Sequence, residues 1–170
     1  MNNVVWVDED DNVLGEVSRT KAHSEAILHR VAVTYLVNEK GQILVNERAK
    51  DDHLDHSSAG HLDPGEEYLE AAKRELEEEL GVTGLELTEI GKAKCSDQNT
   101  NRDGTLFNSR HIFKIYMAKG EPVLLNHDEV KNVWWADSKE VLKDMQISPA
   151  KYTAGFRESL KIFLDNSRTV

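Results

Sequence analysis

The chain has 170 residues, enough for one domain with its own core and short for two. Its 31 acidic and 21 basic side chains leave a formal charge of −10. That balance argues against a nucleic-acid polymer or an anionic membrane surface as partner, and any phosphate-bearing substrate would need intervening cations. The single cysteine, Cys95, excludes an intrachain disulfide and a cysteine-based zinc site, and reads as a small buried hydrophobe. No stretch approaches the ~20 apolar residues of a membrane span. The acidic start does not read as a signal peptide, so a cytoplasmic location is expected.

In chain order, Val4–Val7 and Val13–Val17 flank the polar run DEDDN and predict a β-hairpin. Thr20 predicts the cap of a short helix through Leu28, so residues 1–30 form an N-terminal hairpin and helix. Val31–Val37, the turn NEKG and Gln42–Arg48 predict a second hairpin. A polar loop follows over residues 49–60, in which His53 and His56 read as solvated. Asp63-Pro64-Gly65 is turn chemistry, and a helix is expected from Glu67 to Leu80, ended by Gly81. Then come LELTEI, a strand near Lys92–Ser96, a loop tip over residues 97–104, and a long strand Leu106–Lys119. Asn132–Ala136 reads as a short strand, and Ser138 as the cap of a helix through Met145. Ser148-Pro149 opens a last helix striped by Phe156, Leu160 and Leu164. Hairpins interspersed with helices predict an α/β (α+β) domain, a mixed sheet with helices packed on it.

The acidic stretch Gly60–Val82 carries the strongest chemical signal. On a helical wheel Leu69, Ala72, Leu76 and Leu80 share one side, while Glu75, Glu78 and Glu79 cluster on another at i, i+3 and i+4. Like charges at that spacing repel, so helix stability does not call for them. A divalent cation reverses the sign of the interaction, and Mg²⁺ or Mn²⁺ suits converging carboxylates. Glu67, Glu70 and Glu77 read as solvated.

Gly60, Glu66, Arg74-Glu75, Leu76, Glu78-Glu79, Gly81 and Val82 occupy every defined position of the Nudix box, here residues 60–82. At residue frequencies near ~7%, seven fixed positions agree by chance on the order of 10⁻⁸ per start point. The chain therefore resembles the Nudix hydrolases, and the resemblance implies their α/β/α sandwich in a single domain over residues 1–170. It implies that Glu75, Glu78 and Glu79 hold Mg²⁺ or Mn²⁺, with Glu66 joining an outer metal or a ligand water. Arg74 would orient a box glutamate, and Gly60 would allow close approach of the loop to the helix. Glu129, just before the Trp134-Trp135 strand, stands where the family often places a loop acid for metal or base duty. The implied reaction is hydrolysis of a diphosphate linkage in a small molecule, most simply a nucleoside diphosphate derivative. Non-nucleotide diphosphates such as isoprenoid diphosphates are the alternative substrates, and a ligand-binding module without turnover the alternative class. A homodimer is the family-level expectation.

The segments VDEDDNVLGEVSRTKAHSEAILHR, NEKGQILVNERA and NHDEVKNVWWADSKEVL are similar to one Nudix branch, the type 1 isopentenyl-diphosphate isomerases. By that resemblance His23, His29 and His61 would bind a metal and Arg48 would contact phosphate. The isomerase chemistry is not expected. Its catalytic cysteine is Ala59 here, its strand glutamates fall near Asn108 and Arg110, and its diphosphate-gripping lysine falls at or near Asp52. Protonating an unactivated alkene needs those groups. His111 and His127 carry no signal, and Tyr35, Phe107, Phe113, Tyr116 and the tryptophans are mostly assigned to packing.

Overall fold

The two N-terminal valine runs pair antiparallel as β1 (Asn3–Val7) and β2 (Val13–Ser18). The Asp8 carboxylate closes their turn by accepting from the backbone N–H groups of Asp10 and Asn12. A computed structural model of the chain describes residues 3–100 and 104–167, so the expected loop tip at 97–104 lies partly outside the described residues. Helix α1 (Arg19–Ser24) is shorter than expected and is capped by Ser18, whose Oγ accepts from Lys21 N, rather than by Thr20. It stops because Ala26 turns to φ 53° and the chain enters β3 (His29–Val37).

The expected second hairpin is largely undone. β3 and β4 (Ile43–Arg48) share only the pair Val37↔Ile43. Ser57 supplies the physical reason: buried between the strands, its Oγ accepts from Leu36 N at 2.8 Å and donates to Leu44 O at 2.7 Å. The edge of β3 thus freed pairs with β6 (Ser58–His61), while β4 pairs with β5 (Leu54–Asp55) and β9 (Val130–Ala136). The other edge of β3 runs parallel to β8 (Leu106–Lys119). β8 in turn forms a long antiparallel ladder with β7 (Thr88–Thr100). That ladder carries Asp97 and Gln98 into strand where turn chemistry predicted loop, because cross-strand hydrogen bonding outweighs their weak strand preference. All nine strands among the described residues belong to one mixed sheet.

Helices cover both faces. Val31, Val33, Tyr35 and Val37 point to one side, where they meet Phe156, Leu160 and Phe163 of α4 (Ala154–Asn166) and Val141 and Met145 of α3 (Ser138–Ile147). Ala32 and Leu36 point to the other, against Ala72, Leu76 and Leu80 of α2 (Tyr68–Leu80). The result is an α/β/α sandwich, and burial on both faces explains why Val31–Val37 is apolar at every position but Thr34.

Local details depart from expectation in three places. Leu69 is 39% exposed, and Tyr68 and Ala71 take its place on the buried face of α2. Asp137, not Ser138, caps α3 by accepting from Lys139 N and Glu140 N. Ser148-Pro149 opens a separate 3₁₀ turn, Pro149–Lys151, and Thr153 caps α4. Tyr35, Phe113 and Tyr116 pack in the core as expected, whereas Trp6 and Trp134 are exposed. Among the described residues, no helix is long and apolar enough to cross a membrane.

Candidate functional site

Helix α2 lies against β6, and the contact is closest at Gly60. A Cβ there would sit 1.9 Å from Glu75 Cδ, so only glycine leaves room for that carboxylate. Gly81 ends the helix in the left-handed conformation (φ 66°). The segment beyond β8 then wraps the helix end, with Val123 N and Leu124 N donating to Leu80 O and Asn126 N to Glu79 O. This wrapping brings Glu129 to the helix: oxygens of Glu75, Glu79 and Glu129 lie within 4.8 Å of one another.

Two of these carboxylates are buried, and Glu79 Oε2 has no hydrogen-bond partner. Burial, then the charge of Glu75, drives the Glu79 pKa well above the usual carboxylate range. Burial also raises Glu75, against the lowering influence of Arg74. An orphaned buried carboxylate oxygen beside two more carboxylates suits a hard divalent cation such as Mg²⁺ or Mn²⁺.

Arg74 organises the surroundings. Its Nε and Nη2 donate to the two oxygens of Glu66, both at 2.9 Å, and Nη1 donates to Glu75 Oε1 at 2.6 Å. Nη2 also reaches His61 O, and Nη1 reaches Glu78 Oε2 at 3.2 Å. Glu66 is therefore occupied by Arg74 and by Asp63 N. Glu78 lines the same cleft but is half exposed and turned to Arg74, apart from the Glu75–Glu79–Glu129 group.

A second cluster lies in the same cleft. The three histidines His23, His29 and His61 come together, and a fourth, His111, joins them, with one ring nitrogen of each inside a 4.8 Å group. His29 and His111 are register partners of β3 and β8, and His61 comes from β6. His29 Nδ1 is 2.7 Å from Ile27 O and His23 Nδ1 is 2.9 Å from Asn108 O. The buried Nε2 atoms of all four histidines lack partners. Burial lowers the pKa of His23 to about 4, of His29 less sharply, and of His61 and His111 well below the ordinary value. Neutral imidazoles with free nitrogens are competent metal ligands. His111 lacked any local sequence signal, because only the parallel pairing of distant strands brings it to His29.

Three cations line the same cleft as the carboxylates: Arg19, Arg48 and Lys50. Lys50 is exposed, yet desolvation in the cleft, then Arg48 and Arg19, lower its pKa to about 8. Arg48 is held by Asp51 at 2.7 Å and Asp55 at 3.4 Å. Sequence inspection missed Arg19, which reads as an ordinary helix-surface charge. Asp52, at or near the place of the isomerases' diphosphate-gripping lysine, pairs with Lys131.

His56, expected to be solvated, is 2% exposed. Its Nδ1–H donates to Asp55 at 2.7 Å, Ser159 Oγ–H donates to its Nε2 at 2.6 Å, and Tyr35 O–H to Ser159 at 2.6 Å. The order mimics a serine nucleophile with its base, but Ser159 is fully buried on the core face of α4, so the chain is a structural tie. Thr153 also donates to Asp55, which fastens the start of α4 to the cleft wall. His53 pairs with Asp51. Asn108 is bound to α1 carbonyls and Arg110 to Glu9, so neither supplies an acid to the cleft.

The cleft, about 580 Å³, is lined by both clusters and the three cations. Besides the imidazoles, its lining includes the rings of Phe107, stacked on His23 at 4.1 Å, and Phe113, which is 1% exposed.

The NUDIX domain model matches residues 27–156. The chain is 33% identical over 140 residues to an uncharacterized Nudix hydrolase of Yersinia pestis, across 79% of this chain and 72% of the relative. It is 29% identical over 163 residues to an isopentenyl-diphosphate Delta-isomerase of Pectobacterium atrosepticum, across 92% and 88% of the two chains. In fold it is similar to a Deinococcus radiodurans protein, with TM-score 0.68 at 24% identity over 85% of this chain and 89% of that one.

Proposed function

The chain belongs to the NUDIX domain family and is a Nudix hydrolase, and we propose that it cleaves a small-molecule diphosphate with Mg²⁺ or Mn²⁺ held by Glu75, Glu79 and Glu129. The observation that carries this proposal is the buried, unpartnered Glu79 Oε2 facing two further carboxylates. Glu75, Glu79 and Glu129 would hold the ion, which would supply neutralisation of phosphate charge and activation of water at neutral pH. Arg74 fixes the orientation of Glu75, and Glu78 lies within its reach. Arg48, Lys50 and Arg19, which line the same cleft, bind the phosphate oxygens. Water adds to one phosphorus, the bridging P–O bond breaks, and Glu129, the solvent-open carboxylate, accepts the proton.

The four histidines form a second ligand set. Their neutral nitrogens suit Zn²⁺ or a similar transition ion better than Mg²⁺.

A nucleoside substrate needs a stacking surface, and among the described residues the lining offers Phe107, which already stacks on His23, and the imidazole rings. The relative named for isopentenyl diphosphate supports a non-nucleotide diphosphate as the substrate. Ala59, Asn108 and Arg110 replace the isomerase groups, which supports hydrolysis over isomerisation.

The test is phosphate and pyrophosphate release from nucleotide and non-nucleotide diphosphates, with Mg²⁺ and with Mn²⁺, beside Glu79→Gln. Metal-dependent release from a non-nucleotide compound, reduced about 10²-fold or more in the variant, is expected. Turnover confined to nucleotides would overturn the substrate class. Release that is insensitive to metal and to Glu79→Gln would overturn the site.

A further inference from the structure

Glu129 is the exposed member of the carboxylate group, and it sits beside two buried glutamates whose pKa values it helps to raise. Repulsion alone would swing it into solvent. Asn126 opposes this. Its backbone N–H donates to Glu79 O at 3.0 Å, and its backbone O accepts from Glu129 N at 3.0 Å and Val130 N at 2.8 Å. Its Oδ1 accepts from Asp128 N at 3.2 Å, and its Nδ2 donates to Glu129 Oε1 at 3.3 Å. Every hydrogen-bonding group of this residue is engaged, and together they run from the end of the box helix to the loop glutamate. Val130, fully buried, and the bond from Ala49 N to Glu129 O anchor the far side.

We propose that Asn126 is a positioning residue for the metal ion, coupling Glu79 to Glu129 and holding the Glu129 carboxylate against the box pair. The inference rests on the metal-binding role given above to Glu75, Glu79 and Glu129. A neutral amide is suited to this role because it tethers a carboxylate without adding the positive charge with which a lysine or arginine would oppose a cation.

The test uses Mn²⁺ alone, titrated by electron paramagnetic resonance into the full chain and variants Glu79→Gln, Glu129→Gln, Asn126→Ala, Asn126→Ser and the double variant Asn126→Ser/Glu129→Gln. Serine retains an acceptor for Asp128 N, and so preserves the turn, but is too short to reach Glu129. Asn126→Ser is expected to weaken Mn²⁺ binding about 10-fold or more with little change in melting temperature. In the Glu129→Gln background it should cause no further loss, because the two residues act as a unit. Asn126→Ala should weaken Mn²⁺ at least as much. Wild-type affinity in Asn126→Ser beside a weakened Glu129→Gln overturns this inference alone, as does a full additional loss in the double variant. Unchanged Mn²⁺ affinity in Glu79→Gln overturns the metal site, and this inference with it.

Discussion

Gly60→Ala tests the closest contact at the box helix. A Cβ at this position would lie 1.9 Å from both Cδ and Oε1 of Glu75 and 2.5 Å from its Cγ. Carbon atoms in ordinary contact stand about 3.5–4.0 Å apart, so the glutamate must retreat by roughly 1.5 Å or more. Its carboxylate, 2.6 Å from Arg74 Nη1, then leaves both the guanidinium and the group it forms with Glu79 and Glu129. Misplacement on the order of 1 Å costs about 10²-fold in turnover, and disturbance around a ligand about 10- to 100-fold in metal affinity. Overpacking costs roughly 1–3 kcal/mol, at about 2–4 °C of melting temperature per kcal/mol for a domain of this size. Gly65→Ala is the matched control: its φ of +80° makes alanine strained, but a Cβ there meets nothing within 4 Å. It should lose comparable stability and keep wild-type Mn²⁺ affinity. Turnover and Mn²⁺ titration on both variants decide the matter. A Gly60→Ala protein with wild-type values in both would refute the idea that this close approach holds Glu75 in place.

Three further outcomes follow from the geometry. Lys50, with its pKa lowered to about 8 from the ordinary 10.5, should lose its grip on inorganic pyrophosphate between pH 7 and 9, and Lys50→Arg should flatten that loss. For folding the sign is opposite, since a lowered lysine pKa means that stability rises as pH climbs from about 8 toward 10.5. Co²⁺ added to the protein should give the absorption of a nitrogen-ligated ion, and His111→Ala should weaken it at least about 10-fold; an unaffected spectrum would remove His111 from the site. Ser159→Ala leaves the Tyr35 hydroxyl and His56 Nε2 unpartnered in the core and should cost about 2–3 kcal/mol on denaturant unfolding, with no change in Mn²⁺ affinity.

The box helix, its glycine stop and the Glu75 and Glu79 positions were legible in the sequence because they depend on local spacing. So were most strands, whose apolar runs set their own period. What sequence hid depends on which strand lies beside which. Ser57 divides the β3–β4 hairpin by bonding both backbones, yet as a residue it reads only as polar loop. His56 looks solvated until Asp55, Ser159 and Tyr35 enclose it from distant segments. Arg19 and Lys50 reach the cleft only through the packing of α1 and the bend after β4, and Glu78 turns to Arg74 instead of joining its neighbours. The resemblance placed Glu129 near the glutamates, but only the strap around α2 shows how it arrives there.

The pairing of His29 with His111 reaches beyond ligand geometry. β3 and β8 are parallel and far apart in sequence, the kind of pairing that forms slowly and is open to misalignment. A slip of one residue would turn His111 to the opposite face of the sheet. An ion held by His29, His61 and His111 would therefore be bound only in the native alignment and would stabilise that alignment alone. With an ion bound, the cluster would act as a checkpoint on assembly, favouring chains whose central strands have found their proper partners.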